Sequence, residues 1–206
     1  MTTAPATPPS GEEVPDLDHG ARHESRLEQP RLSLGPEWVS GADGVPFRRG
    51  ARVLLFDELD RLLLVRGHDV DQPERSWWFT VGGGIGVGES SAQAASRELF
   101  EETGIRLAPD TFQGPVFLRQ AVFDFRAQLV RQDEEFFLAR VTGAGPLDYS
   151  GWEAAEVEFM DEVRWFDLDE LAAVTIEVFP AGLADLARPL LGGWDGVTRD
   201  LGLDTD

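Results

Sequence analysis

The residues of this chain best placed to do chemistry are Glu89, Arg97, Glu98, Glu101 and Glu102, which follow a glycine-rich run within a short stretch. On a helix, Glu98, Glu101 and Glu102 stand at i, i+3 and i+4, so their carboxylates share one face. Like charges at these spacings oppose helix formation by about 0.2–0.5 kcal/mol per pair. A hard divalent cation, Mg²⁺ or Mn²⁺, would turn that repulsion into coordination, because such ions prefer carboxylate oxygens. Arg97 can hold a neighbouring carboxylate through its planar fork. Glu89 can reach back towards Arg97 or a cation. Gly82 and Gly83 let backbone approach a ligand where a side chain would obstruct it. The bland alternative is a solvated acidic helix face, the usual meaning of such a run. The spacing and the glycine context both weigh against it.

The elements that must position these groups can be read around them. Ser90 or Ser91 can cap a helix running to Thr103, with Gly104 where a left-handed terminal residue belongs. Ala92, Ala95 and Leu99 form an apolar stripe for packing on a sheet, which leaves the three carboxylates on another face. Ala51–Phe56 and Arg61–Arg66 read as a hairpin around Asp57–Asp60. Trp77–Val81 leads as a strand into a glycine loop. Further strands are expected at Val116–Arg126, Phe136–Val141 and Glu162–Phe166, a short helix after Asp167, and a final helix at Ala181–Leu191. Strands and helices mix without a βαβ rhythm, so the expected class is α/β with a mixed sheet flanked by helices. One domain is expected over residues 31–206. Residues 1–30 are proline-rich and polar and are expected to form a disordered or loosely attached tail. His19 and His23 could clip a metal there, but read more simply as solvated histidines.

The composition removes other function classes. The chain has 206 residues and a formal net charge of −20, with arginine supplying all 18 basic residues. That field disfavours long nucleic acid and anionic membranes, but admits a small anion where bound cations invert the local charge. With no cysteine there are no disulfides, no thiolate metal ligands and no cysteine nucleophile. No stretch is long and apolar enough to span a bilayer, and no secretory pattern is visible, so a cytoplasmic location is expected.

From Gly83 to Ile105 the sequence resembles the Nudix family. Its signature is Gly, five residues, Glu, seven residues, Arg-Glu, an aliphatic, any residue, Glu-Glu, any residue, Gly and an aliphatic. Gly83, Glu89, Arg97, Glu98, Leu99, Glu101, Glu102, Gly104 and Ile105 meet every position. The likeness in element order extends to roughly Arg49–Leu191. Where the family often has proline before its glycines, this chain has Val81, which bears on the turn and not on the chemistry. The resemblance implies an α/β/α sandwich with a loop–helix–loop box, and hydrolysis of a nucleotide-like diphosphate by water activated at Mg²⁺ or Mn²⁺. It implies Glu98, Glu101 and Glu102 as metal ligands, with the Gly82 or Gly83 carbonyl completing the shell. Glu98 and Glu101 are then the catalytic carboxylates and Arg97 the orienting residue.

The resemblance also implies a further carboxylate from outside the box. Glu134, Glu135, Glu153 and Glu156 are candidates, each of which reads more simply as an ordinary surface acid. Trp77, Trp78, Phe123 and Phe125 are candidate base-stacking platforms, against the simpler reading as core. Arg119 and Arg126 could meet phosphates or be solvated strand residues. Two other functions compete. A nucleotide-sensing Nudix-like module would commonly lack box carboxylates that are intact here. A calcium-binding structural protein would need the spaced Asp/Asn loop of an EF-hand, which is missing. The substrate is not fixed; (d)NTPs and nucleoside diphosphate sugars lead, because the downstream proline or tyrosine markers of other branches are absent near Ala121–Phe125. Oligomeric state is open, a homodimer included.

Overall fold

Two short arms open the described chain, Val39–Ser40 (β1) paired antiparallel with the start of Pro46–Phe56 (β2). In this computed structural model, residues 34–125, 128–152 and 154–205 are described. The expected tail 1–30 with its two histidines, Arg126, Glu153 and the side chain of Phe125 lie outside the described residues. β2 turns into Leu62–His68 (β3) through the expected polar turn. There the Asp57 carboxylate accepts from the Leu59 and Arg61 amides at 3.0 and 2.8 Å, and Asp60 takes φ +60°. Ser76–Gly84 (β4) follows, then Ser91–Thr103 (α1). The glycines expected to form a loop are strand as far as Gly84, because Gly82–Gly84 pair with Gly50–Arg52 of β2.

Gln113–Phe125 (β5) and Gln128–Arg140 (β6) form a long antiparallel pair. β6 begins well before the expected Phe136, since the polar run Gln128–Glu135 is held between β5 and a ten-residue parallel pairing with β2. Ala154–Val157 (α2) was not foreseen, being one turn long. Met160–Phe166 (β7) pairs with β3, and Asp167 caps Leu168–Ala172 (α3) by accepting from the Asp169 amide. Glu177–Phe179 (β8) joins β4 in parallel. The expected final helix is Leu183–Ala187 (α4) followed by 3₁₀ geometry at Arg188–Gly192, where Pro189 has no N–H to continue the α ladder. Arg199–Thr205 (β9) adds an unforeseen edge strand, parallel to β5.

The result is a mixed sheet in the order β7-β3-β4-β2-β6-β5-β9, with β1 and β8 attached to β2 and β4. Alternation along β2 divides its side chains between two cores. Val53 and Leu55 pack under α1 with Ala94, Ala95 and Leu99. Leu54 and Phe56 pack on the other side with Phe166 of β7 and with Leu171 and Leu183 from the α3–α4 layer. The α/β class and the flanking helices are as expected. No helix among the described residues is long and apolar enough to cross a membrane.

Candidate active site

α1 is fixed at both ends. The Ser90 hydroxyl accepts from the Gln93 amide at 3.3 Å, and the Gln93 side chain accepts from the Ser90 amide at 2.8 Å, a reciprocal capping box. At the other end Gly104, with φ +75°, donates its amide to the Phe100 carbonyl at 2.8 Å. Ala95 and Leu99 are buried as expected; Ala94 joins them, while Ala92 is only half-buried.

The acids are arranged differently from the expectation of three carboxylates on a face turned from the sheet. Glu98 and Glu102 are buried, at 6% and 2% exposure, and only Glu101 is half-open. The reason lies in β4. A side chain at Gly83 would begin 2.6 Å from the Glu98 carboxyl, so the bare strand leaves the space that this acid fills. The Gly82 amide donates to Glu102 Oε2 at 2.9 Å.

Arg97 organises the open side. Its Nε and Nη2 each lie 3.0 Å from the two Glu89 oxygens, a bidentate pair. Nη1 reaches Glu98 at 2.8 Å and Glu101 at 2.9 Å, and Nη2 also donates to the Gly84 carbonyl at 2.8 Å. The direct bond from Arg97 holds Glu89 below the usual carboxylate range. Burial acts the other way on Glu98, pushing it up to about 7 despite Arg97, and together with the charge of Glu98 it pushes Glu102 well up. Glu98 and Glu102 thus sit where their negative charges are under-compensated.

A third carboxylate joins them. Glu156, on α2, places an oxygen so that Glu98, Glu102 and Glu156 each offer one within 4.8 Å of the others. α2 is brought there by close backbone packing: a side chain at Gly151 would begin 2.4 Å from the Glu101 carbonyl, and Trp152 Nε1 donates to the Glu102 carbonyl at 2.9 Å. Three converging carboxylates, two of them buried with their charges poorly offset, are a donor set that suits a hard divalent cation. The other described candidates are engaged elsewhere. Glu134 is buried between Arg52 and Arg119, at 2.7 Å from each, and Glu135 pairs with Arg49 on the surface. Arg119 is therefore not a solvated strand residue; it lines the cleft and is held there between Glu134 and Asp204.

Arg97, Glu98, Glu101, Glu102 and Glu156 line a cleft of about 640 Å³, within the usual range for small-molecule sites. Trp77, Phe79, Phe123 and Phe179 supply its aromatic wall. Trp78 does not line it. The strand alternation turns Trp78 to the other side of the sheet, where it is 5% exposed with its ring edge-on to Phe166 at 4.7 Å, so it is core and not a platform. Gly83 lines the cleft, while the Gly82 carbonyl accepts from Arg52 Nη1 at 2.6 Å. The sequence reading missed Glu37, Arg48 and Arg52. Arg48 is ion-paired with Glu37 at 3.1 Å and lies 4.5 Å over the Trp38 ring. The signal available was arginine at 48 and 52, four apart and so on one face of a strand whose second half is otherwise apolar.

Comparison with known proteins gives the family and the fold. The family model described as NUDIX domain matches residues 46–186. The chain is 32% identical over 166 residues to an RNA pyrophosphohydrolase of Rhodospirillum rubrum, covering 75% of this chain and 95% of that protein. It is 28% identical over 118 residues to a putative 8-oxo-dGTP diphosphatase of Bacillus subtilis, covering 57% and 69%. Among solved structures, the MutT protein of Bacillus halodurans shares the fold with a TM-score of 0.50 at 20% identity, covering 77% of this chain and 89% of that one.

Proposed function

The chain belongs to the Nudix family and is a Nudix pyrophosphohydrolase, and from that premise we propose that it hydrolyses the diphosphate link of a nucleoside diphosphate derivative with the help of Mg²⁺ or Mn²⁺. The observation that carries this reading is the convergence of Glu98, Glu102 and Glu156 at the base of the cleft. Those three residues would hold the cation. When bound, the cation supplies positive charge and Lewis acidity at the diphosphate oxygens. The Gly83 backbone, free of a side chain, gives the substrate close approach.

Arg97 keeps Glu98 and Glu101 in place through one nitrogen and anchors itself on Glu89 and the Gly84 carbonyl. Its role is positioning. In the hydrolysis, a water oxygen bonds to phosphorus as the bridging P–O bond breaks, and the leaving phosphate carries away the electron pair. The proton of that water passes to a carboxylate, and Glu98 and Glu101 are the groups proposed to accept it. Trp77 and Phe123 on the cleft wall are proposed to pack against the base. Catalysis is assigned to residues 31–206, with the tail 1–30 dispensable.

A second substrate reading has one specific support, the similarity to an RNA pyrophosphohydrolase over 95% of that protein's length. A net charge of −20 opposes it, because a long polyanion would be repelled over most of the surface. The deciding experiment is an activity screen with Mg²⁺ and Mn²⁺ over (d)NTPs, nucleoside diphosphate sugars, dinucleoside polyphosphates and a 5′-triphosphorylated oligoribonucleotide, with released phosphate and pyrophosphate quantified. Turnover of a small nucleotide that disappears with chelator supports the proposal. Turnover of none, or turnover indifferent to chelator, rejects it.

A further inference from the structure

Gly82 is gripped from two sides. Its amide donates to Glu102 at 2.9 Å, and its carbonyl accepts from Arg52 Nη1 at 2.6 Å. The same nitrogen lies 3.4 Å from the Thr80 carbonyl, so one guanidinium reaches two carbonyls of β4. Gly82 holds φ +133°, and a side chain there would begin 2.1 Å from the Ala51 carbonyl. The backbone is thus set in a conformation open to glycine and is clamped there by a side chain from its cross-strand partner, since Arg52 and Gly82 are paired in register.

Arg52 is in turn fixed. Its Nε donates to Glu134 Oε1 at 2.7 Å. Glu134, 3% exposed, also accepts from Gln132 at 2.6 Å and from Arg119 at 2.7 Å, and Arg119 reaches Asp204 at 2.6 Å. The path runs from β9 across β5, β6 and β2 to β4, and ends at a carboxylate of α1. An ionic chain buried in a sheet is a poor source of stability, because desolvation cancels most of its attraction and apolar residues of similar volume do as well. What it does provide is orientation, since the planar fork of an arginine tolerates little angular freedom once two of its nitrogens are bound, here Nε to Glu134 and Nη1 to Gly82.

We propose that Arg52, locked by Glu134, is a positioning residue that sets the Gly82 backbone and, through the Gly82 amide, the Glu102 carboxylate at the cation site. It rests on the reading of Glu98, Glu102 and Glu156 as cation ligands. Arg52 also lines the cleft, but in this role it acts on Glu102 through a peptide group.

The test uses the whole chain carrying Arg52→Met with Glu134→Gln, which removes the arginine without stranding a buried carboxylate, and Arg52→Lys and Glu134→Gln alone. Two measurements need no turnover: the Gly82 amide resonance of ¹⁵N-labelled, metal-free protein, and the dissociation constant for Mn²⁺. In the double variant the amide resonance moves and Mn²⁺ binding weakens by about 10–100-fold, the usual cost of losing a group that orients a ligand. kcat falls with it while KM at saturating Mn²⁺ is little changed, and Arg52→Lys recovers part of the loss. A double variant with native Mn²⁺ affinity overturns the inference, whether or not its Gly82 resonance or melting temperature moves, since that would mark a purely structural role. Should the double variant not fold, native Mn²⁺ affinity in both single variants overturns it equally. If the wild-type chain neither binds Mn²⁺ nor cleaves a diphosphate, the reading of the site fails, and the Gly82 resonance still reports whether Arg52 holds the strand.

Discussion

Gly83 and Glu98 compete for one volume: the position a Gly83 side chain would take lies 2.6 Å from the Glu98 carboxyl carbon. At the neighbouring Gly82 the obstacle is different in kind, the Ala51 carbonyl at 2.1 Å with φ +133°. One is the mobile end of a side chain and the other is fixed backbone.

Gly83→Ala is therefore expected to fold, because Glu98 can swing away, yet to lose kcat by orders of magnitude as the carboxylate leaves its place. Gly82→Ala is expected to damage the fold itself, since backbone must move and the residue must hold a strained φ. Melting temperature and turnover measured on both variants check the contrast; equal losses of stability would refute it.

Glu98→Gln and Glu102→Gln should leave metal-free stability unchanged or slightly raised, because each removes a buried negative charge that its surroundings disfavour. Stabilisation by added Mg²⁺ should shrink and kcat should drop by orders of magnitude. Glu156→Gln should follow in the same direction, as a member of the same cluster. Glu135→Gln, whose partner is the exposed Arg49, should change none of these beyond about 0.5 kcal/mol. Full metal-dependent activity in both box variants would remove the basis for the site.

The two adjacent tryptophans should separate cleanly. Trp77 lines the cleft, so Trp77→Ala should raise KM for particular bases with little change in melting temperature. Trp78→Ala opens a cavity beside Phe166 and should cost roughly 3–5 kcal/mol of stability. A denaturation series on both, with KM across several nucleotides for the folded one, is the measurement.

Glu134 gives a pH dependence of known sign. Burial alone would push its carboxyl up, but the Arg52 and Arg119 guanidiniums outweigh burial and hold it below the usual range near 4.5. Its folded value lies below its unfolded one, so its contribution to stability is complete above about pH 4.5 and is lost as pH falls through the folded value. The difference in stability between wild type and Glu134→Gln should be constant from pH 8 to about 5 and narrow below that. A difference that widened on acidification would contradict the ion pairing.

What the sequence made legible was whatever local spacing determines. The α1 register, the Ser90 cap, the Gly104 terminus and the grouping of Glu98, Glu101 and Glu102 follow from neighbours within a few positions. The burial of Glu98 and Glu102 was not legible, because it depends on β4 glycines lying against the helix, a fact of packing. Trp78 stood beside Trp77 as a candidate platform against the simpler core reading, since a run of two tryptophans does not say which one faces the cleft; strand parity against α1 decides it, and Trp78 is core. Glu134 and Glu156 looked alike in sequence. One is held by arginines on β2 and β5, and the other is carried to the cluster by a single helical turn that periodicity could not reveal. Arg52 was missed because its importance lies in a carbonyl on the next strand.

The parallel pairing of β2 with β6 joins residues 84 positions apart, as in the contact of Arg48 with Gln132. Closing a loop of that length is entropically costly before any contact rewards it, so pairings of this kind form late and slowly. The β2–β3 hairpin, β4 and α1 can assemble from neighbours in the chain, while the β6 floor that buries Glu134 against Arg52 must wait. During refolding the chain should recover helix and hairpin signals first and the proposed cation site last.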